Sequence, residues 1–364
     1  MGSGKLIPRV AVVLVLAVLA ACGGAPPVAT ITPTPAESPS PSRTLSPSPA
    51  GMSLDEEVGA VMMVGFRGPI TDQVLADWRR RQFGGLLVVN LNHNASSDTG
   101  LSSLISQVRA TTSRRVIAAT DQEGGSVCLA ASSVPCAPMP VGKTATTQMA
   151  SALRNLGFDL DLGPVSDVCS GPSSIMWGRC YGTDPTVVAA AVGPVVDGIH
   201  AAGMLSAAKH FPGHGNTPVS SETTLPRVDE GLLTLEKRDF PPFDSAVAHR
   251  TDFVLVGHLY YPAIDPHRSA DLSPQTFLLL RKYVGFEGPV LSDDMQMGAI
   301  TSTTPTPEAA VQFLQAGGDM VMVAHDLPVA DATYDAIKSA VESGRLPRPR
   351  LDEAVAALNS LPQI

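Results

Sequence analysis

The chain has 364 residues, of which 44% are hydrophobic and 16% charged, and its formal net charge is −9. No run of more than three basic residues occurs and the net charge is acidic, so the charge pattern excludes a nucleic-acid-binding protein. The length that remains after the leader and a polar stretch suits one large domain better than two.

Residues 1–21 form a short basic and apolar leader. Its apolar run at residues 10–19 is too short for a good membrane span. Residues 19–23 read Leu-Ala-Ala-Cys-Gly and look like a bacterial lipoprotein processing site. We therefore predict a lipoprotein signal peptide, a lipid on the thiol of Cys22, and an extracytoplasmic protein held at the cell membrane by that lipid alone. Ordinary signal cleavage beside an unmodified Cys22 is the alternative.

Residues 22–51 are dominated by Pro, Ser, Thr and Ala, with almost no charge and no large apolar run. Such a composition cannot bury enough apolar surface to offset the entropy that is lost on ordering. We predict a disordered, partly extended stalk that lets the domain that follows it extend away from the membrane.

Short apolar runs alternate with amphipathic segments throughout residues 52–364. The runs predicted as strands are 62–66, 85–90, 115–120, 158–162, 204–208, 253–257, 289–292 and 320–324. Helical patterns lie at 71–81, 102–111, 144–156, 185–201, 235–248, 274–283 and 306–316, and further helices at 331–343 and 350–361 complete the outer ring. This alternation predicts an α/β fold, a single (β/α)8 barrel of the TIM type. A doubly wound open sheet is the alternative, but no Gly-rich phosphate loop follows the first strand.

Polar residues follow five of the predicted strands. They are Asp121 after the third strand, Lys209 and His210 after the fifth, His258 after the sixth, Asp293 and Asp294 after the seventh, and His325 after the eighth. The carboxyl ends of barrel strands face one mouth, so these side chains are expected to converge there. The sequence therefore predicts the active site at this mouth.

The longest polar motif is Lys-His-Phe-Pro-Gly-His-Gly at residues 209–215, where a buried strand ends and the chain turns outward. Together with Asp-Gln-Glu-Gly-Gly at residues 121–125 and Ser-Asp-Asp-Met-Gln-Met-Gly at residues 292–298, it resembles the motifs of the β-N-acetylglucosaminidases of glycoside hydrolase family 3. This resemblance implies a retaining exo-β-N-acetylglucosaminidase that removes terminal N-acetylglucosamine from peptidoglycan fragments, that is muropeptides, or from related glycans. It implies no cofactor.

The resemblance carries roles over to particular residues of this chain. Asp293 matches the nucleophile, which attacks the anomeric carbon in a retaining mechanism. The positions that match sugar ligands are Asp121, Arg179, Lys209 and His210. Charge-assisted hydrogen bonds from such side chains suit vicinal sugar hydroxyls. Asp294 is interpreted as a cap of the next helix.

The loop after residues 209–215 departs from the family. The family usually shows Asp-Ser-His there, with the His as general acid/base and the Asp orienting it, whereas this chain has Ser220 and Glu222 at those places. A carboxyl group with a raised pKa is the commonest glycosidase acid, so we predict that Glu222 is the acid/base. Serine at position 220 also removes a like charge near Glu222.

Two other interpretations of this loop stay open. If the Asp-His dyad has decayed, the barrel is a non-catalytic lipoprotein that binds N-acetylglucosamine or peptidoglycan. A phosphorolytic or transferring relative is the other interpretation, although an anionic Glu222 on the leaving-group side would repel incoming phosphate.

Four further cysteines follow the predicted stalk. In an exported protein an even number suggests two disulfides, although sequence does not determine their connectivity. The pairs closest in sequence are Cys128 with Cys136 and Cys169 with Cys180. A bond between Cys169 and Cys180 would brace the loop that presents Arg179. The histidines lack the spacing of a metal-binding helix, so we predict no metal site, and we expect a monomer.

Overall fold

The computed structural model describes residues 51–363. The predicted signal peptide, the lipid on Cys22 and the predicted stalk up to residue 50 lie outside these residues. No helix within residues 51–363 has the length and apolar character needed to cross a bilayer.

Eight parallel strands close into a barrel in which each strand pairs with its neighbours in chain order and the last pairs with the first. The strands are β1 (Met62–Val64), β2 (Gly85–Leu87), β3 (Ile117–Thr120), β4 (Leu160–Asp161), β5 (Leu205–Phe211), β6 (Phe253–Val256), β7 (Val290–Asp294) and β8 (Met320–Val323). The predicted barrel is confirmed, and the open-sheet alternative is wrong because the pairing of β1 with β8 leaves no sheet edge.

Helices surround the barrel. They are α1 (Leu54–Ala60), α2 (Asp72–Arg81), α3 (Asp98–Arg109), α4 (Lys143–Leu156), α5 (Pro185–Ala201), α6 (Leu232–Arg238), α7 (Phe240–Ala248), α8 (Pro274–Leu279), α9 (Gly298–Thr301), α10 (Thr306–Ala316), α11 (Leu327–Glu342) and α12 (Arg348–Asn359). The single helix predicted at 235–248 is two helices, because Pro241 and Pro242 are tolerated in a first turn but not in a helix interior. Helix α1 was missed, although Ser53 and Glu56 form a capping box at its start.

The barrel interior is filled with apolar side chains. Its cluster includes Met63, Leu87, Leu160, Leu255 and Leu291, while a larger cluster joins the outer strand faces to the helices. Leu361 joins the interior cluster, and Arg115, just before β3, donates to the carbonyl of Pro362. The chain end therefore covers the amino-terminal end of the barrel, and the opposite mouth is left for the site.

Two disulfides brace the loops at that mouth. Cys128 is bonded to Cys136 in the β3–α4 loop, and Cys169 to Cys180 in the β4–α5 loop. The predicted pairing is confirmed. The second bond lies directly beside Arg179, so it fixes the segment that carries the guanidinium.

Candidate active site

A cavity of about 280 Å³ opens at the carboxyl ends of the strands. All six residues predicted to bind or cleave the sugar line it: Asp121, Arg179, Lys209, His210, Glu222 and Asp293. Two exposed apolar side chains, Leu91 and Ile175, also line it. The cavity thus combines charged side chains with an apolar rim.

Lys209 stands at the centre of an ionic network. Its Nζ lies 2.5 Å from Oδ1 of Asp121 and 2.7 Å from Oε1 of Glu123. Arg179 donates two hydrogen bonds to the same Glu123, with Nη2–Oε1 and Nε–Oε2 distances of 2.7 and 2.8 Å. Burial would raise the pKa of Glu123, but Lys209 and Arg179 outweigh it and hold the pKa at about 2. Glu123 therefore stays ionised, and its ion pairs fix the directions of Lys209 and Arg179, as recognition of hydroxyl groups requires.

His210 is oriented by Asp167, a residue of the β4–α5 loop. Nδ1 of His210 donates to Oδ2 of Asp167 at 2.8 Å, and Oδ1 of Asp167 accepts the backbone N–H of His214 at 2.6 Å. Burial would raise the pKa of Asp167, but the neighbouring His210 lowers it. The ionised carboxylate fixes the proton on Nδ1 and leaves Nε2 as the ring atom available to the cavity.

Asp293 lies near the end of β7 and is almost fully buried. Its Oδ1 accepts the backbone N–H of Asp294 at 2.9 Å. Burial would raise the pKa of Asp293, but the charges of His210 and His258 outweigh this and lower it. Asp293 is therefore an ionised carboxylate at the cavity, which is the state that a nucleophile needs.

Asp294 has a different environment. Its Oδ1 accepts the backbone N–H of Gln296 at 3.1 Å and that of Ala324 at 2.9 Å. Burial raises the pKa of Asp294 to about 6. The carboxyl group thus holds the turn after β7 and ties β7 to the end of β8. The prediction that Asp294 caps the next helix is wrong, because α9 begins after Met297 and has no side-chain cap.

Glu222 lies exposed at the rim, in the loop between β5 and α6. Its carbonyl oxygen accepts the backbone N–H of Gly298 at 2.9 Å, so the loop is attached to the segment that follows Asp293 and Asp294. Partial burial and the negative charge of Asp293 raise the pKa of Glu222. The cavity therefore contains two carboxyl groups whose pKa values are displaced in opposite directions, the division expected between an acid and a nucleophile.

Gly298 permits this contact because it has no side chain. A Cβ there would lie 2.4 Å from the carbonyl oxygen of Thr223 and 2.8 Å from that of Glu222. We expect Gly298→Ala to displace the loop and lower kcat/KM for an aryl N-acetyl-β-glucosaminide about 10- to 100-fold, since small misplacements of a catalytic group are that costly. The matched control is Gly231→Ala, where a Cβ meets nothing within 4 Å. Equal losses in the two variants would contradict the prediction.

Several buried acids of the site were missed from the sequence. Glu123 belongs to the Asp-Gln-Glu-Gly-Gly motif at residues 121–125, so the sequence contained a signal for it. No sequence signal pointed to Asp167, because its partner His210 lies far from it along the chain. The same holds for Asp161, which accepts the backbone N–H of Gln122 at 3.0 Å. Burial raises the pKa of Asp161 to about 8, against the effect of Lys209, so the group is largely protonated at neutral pH.

The histidines at the mouth are engaged in hydrogen bonds and ion pairs with other side chains. His210 pairs with Asp167, His258 Nδ1 lies 3.1 Å from Asp271 Oδ2, and His325 Nδ1 lies 2.7 Å from Asn92 Oδ1. Within residues 51–363, no three His, Cys, Asp or Glu side chains are grouped so as to hold a metal ion.

The sequence is similar to characterised families of enzymes. Residues 53–361 match the family described as Glycosyl hydrolase family 3 N terminal domain. The chain is 31% identical over 288 residues to a beta-hexosaminidase of Xylella fastidiosa strain 9a5c, across 75% of this chain and 85% of the relative. It is 30% identical over 339 residues to beta-hexosaminidase LpqI of Mycobacterium tuberculosis, across 86% of this chain and 84% of that protein.

Solved structures show the same architecture. A glycoside hydrolase family 3 β-N-acetylglucosaminidase from Paenibacillus sp. FPU-7 superposes with a TM-score of 0.80 at 28% identity, over 86% of this chain and 64% of that chain. LpqI of M. tuberculosis superposes with a TM-score of 0.77 at 27% identity, over 84% of this chain and 93% of that chain. The chain thus spans about two thirds of the Paenibacillus protein and nearly all of the mycobacterial one.

Proposed function

The chain belongs to glycoside hydrolase family 3 and is a glycoside hydrolase, and from that premise we propose that it is a retaining exo-β-N-acetylglucosaminidase. The observation that carries this proposal is the pair of carboxyl groups in one cavity, with the pKa of Asp293 lowered and that of Glu222 raised. A retaining glycosidase needs one carboxylate and one carboxylic acid at the scissile bond. Terminal N-acetylglucosamine is the sugar proposed to be removed, in line with the names of the relatives. The proposed carriers of that sugar are peptidoglycan fragments or related glycans, on the resemblance of the sequence motifs alone.

In the first step, the carboxylate of Asp293 attacks the anomeric carbon. The bond from that carbon to the leaving oxygen breaks, and Glu222 gives its proton to that oxygen. The products are a glycosyl ester of Asp293, a free leaving group and the carboxylate form of Glu222. The raised pKa of Glu222 favours this step because it keeps the proton on the acid until the leaving oxygen needs it.

In the second step, Glu222 acts as a base. It takes a proton from a water molecule, whose oxygen attacks the anomeric carbon and releases Asp293 as a carboxylate. The sugar leaves with its original β configuration, and Glu222 is again protonated. The lowered pKa of Asp293 makes it a good leaving group in this step.

The charged side chains of the cavity bind the terminal sugar. Lys209 and Arg179 donate to hydroxyl oxygens, and Asp121 accepts from hydroxyl groups, while Glu123 holds the two cations in place. The barrel interior behind these side chains is filled with apolar residues. A substrate therefore enters the mouth with its terminal sugar leading. This geometry favours removal of a terminal sugar over cleavage within a chain.

Turnover of an aryl N-acetyl-β-glucosaminide, compared with the matching β-glucoside, tests the proposal. We expect hydrolysis of the first substrate with the β anomer as the first product by NMR, and much slower hydrolysis of the glucoside. An α anomer as the first product, or no turnover of either substrate, would refute the mechanism. Saturable binding of N-acetylglucosamine-terminated glycans without any turnover would instead identify a binding lipoprotein.

We further propose that the enzyme is anchored outside the cytoplasm through a lipid on Cys22. The support is the leader and the Leu-Ala-Ala-Cys-Gly sequence at residues 19–23. Cys22→Ser is expected to move the protein from the membrane fraction to the soluble fraction and to leave kcat/KM unchanged, because residues 23–50 lie in sequence between Cys22 and the barrel. Fractionation followed by an activity assay measures both effects. Unchanged membrane association would show that something other than this lipid holds the protein.

A further inference from the structure

A buried ion pair lies behind the nucleophile and takes no part in the steps described above. His258 follows β6, and Asp271 belongs to a short 3-10 turn, Ala270–Leu272, in the loop between β6 and α8. Both residues are 0% exposed. Nδ1 of His258 lies 3.1 Å from Oδ2 of Asp271, off the line of an ideal hydrogen bond, and neither carboxylate oxygen has another hydrogen-bond partner within residues 51–363.

The contacts of His258 determine its protonation state. Its Nε2 lies 2.9 Å from the carbonyl oxygen of Asp294, and a carbonyl can only accept, so Nε2 carries a hydrogen. Nδ1 faces the buried carboxylate of Asp271, which forms an ion pair with no other side chain of residues 51–363, so a further proton must reside on one of the two groups. Imidazole is the stronger base, which places that proton on Nδ1. Burial would lower the pKa of His258, but Asp271 raises it to about 9.

The pair is in direct contact with β7, the strand that carries Asp293. His258 donates to the carbonyl of Asp294, the residue after the predicted nucleophile, and its charge lowers the pKa of Asp293. We propose that Asp271 maintains His258 as an imidazolium, which positions the end of β7 and keeps Asp293 ionised. Neither residue lines the cavity, so both are positioning residues. For its effect on the reaction, this inference rests on the proposed function.

Other charged groups also act on Asp293, and they limit the expected effect. His210 and Lys209 from β5 lower its pKa. Glu222 from the loop after β5, His214 from the same loop and Asp294 from β7 also interact with Asp293 electrostatically. Removing the charge of His258 therefore weakens the positive field at the nucleophile without abolishing it.

The test is Asp271→Asn, which keeps the shape of the side chain and removes its charge. The amide N–H can then donate to Nδ1 of a neutral imidazole, while Nε2 still donates to Asp294. Because Asp293 must be ionised, activity is lost as the pH falls through its pKa. We expect the acidic limb of kcat/KM to move to higher pH by about one unit, the size of shift that one neighbouring charge produces, with a much smaller change above neutral pH.

Nitrogen NMR of His258 gives a readout that a merely structural role would not move. We expect both ring nitrogens to carry hydrogen at pH 7 in the unmutated protein and only one to do so in Asp271→Asn. Asp265→Asn is the matched control, since Asp265 lies in the same loop and binds Ser273 and the backbone of His267. It should alter neither the NMR signals nor the pH profile.

Two results would overturn the inference. One is an unprotonated ring nitrogen on His258 in the unmutated protein at pH 7, a measurement that does not depend on any variant folding. The other is an acidic limb of kcat/KM in Asp271→Asn that coincides with that of the unmutated protein, although NMR shows that only one ring nitrogen of His258 carries hydrogen in the variant. If the unmutated protein turned over no substrate, the proposed function would fail, whereas titration of the Asp293 carboxyl carbon by NMR would still report whether the pair lowers its pKa.

Discussion

Replacing Asp293 with Asn is expected to lower kcat/KM by about 10⁴-fold or more, because an amide cannot form the glycosyl ester on which the mechanism depends. The fold should persist, since the amide oxygen can still accept the backbone N–H of Asp294 that Oδ1 of Asp293 accepts. Steady-state kinetics with the aryl N-acetyl-β-glucosaminide and a thermal unfolding curve measure the two effects. The variant should therefore separate chemistry from stability.

Asp294→Asn is the matched control for this change. Asp294 is the adjacent residue, equally part of β7, but its Oδ1 accepts two backbone N–H groups, and an amide oxygen can also accept them. Burial also disfavours the ionised form of Asp294 and raises its pKa to about 6. We expect this variant to keep most of its activity. Wild-type rates in Asp293→Asn, with a large loss in Asp294→Asn, would reverse the assignment of the nucleophile.

Glu222→Ala is expected to affect substrates according to their leaving groups. A poor leaving group, such as a second sugar, needs protonation as it departs, so its kcat/KM should fall about 10²- to 10⁴-fold. An aryl group with a low pKa leaves unaided, so the first step should be nearly unchanged for that substrate. Comparing a disaccharide with an activated aryl glycoside measures the difference. Thr224→Ala, an exposed position of the same loop, is the control and should change neither rate.

The second step supplies an independent readout for Glu222. Without a base to activate water, the glycosyl ester of Asp293 should accumulate, and the aryl substrate should show a burst followed by slow turnover. Azide needs no base, so it should restore the rate and yield a β-glycosyl azide. Equal losses on both substrates without rescue by azide would show that Glu222 is a structural residue of its loop.

The pH profile follows from the same two groups. Activity requires Asp293 ionised and Glu222 protonated, so it falls at low pH through the lowered pKa of Asp293 and at high pH through the raised pKa of Glu222. The result is a bell-shaped profile. Glu222→Gln should remove the basic limb from the first step for an activated aryl substrate. A basic limb that persists in that variant would assign it to another group.

The architecture and the place of the site were accessible from the sequence. Strands of a parallel barrel are buried on both faces, so they appear as short apolar runs, and all eight predicted runs overlap an observed strand, although β5 and β7 extend beyond the predicted ends. Parallel strands also bring their carboxyl ends to one mouth, so residues as distant as Asp121 and Asp293 were predicted to meet, and both line the cavity. The single helix predicted at 235–248 is wrong, because Pro241 and Pro242 lie in the first turn of a new helix and would break a continuous one.

The contacts that tune the site depended on the tertiary structure. Asp167 orients His210 and Gly298 lies against the carbonyl of Glu222, each between segments that belong to different strands of the barrel, and Asp271 reaches His258 across a folded loop. No spacing in the sequence reports such distances, because they are set only when the barrel closes and the loops pack. The ionisation of a carboxyl group depends on the same closure, since burial and the nearest charges determine its pKa. That is why the sequence identified Asp293 and Glu222 as candidates, whereas the opposite displacement of their pKa values emerged only from the folded chain.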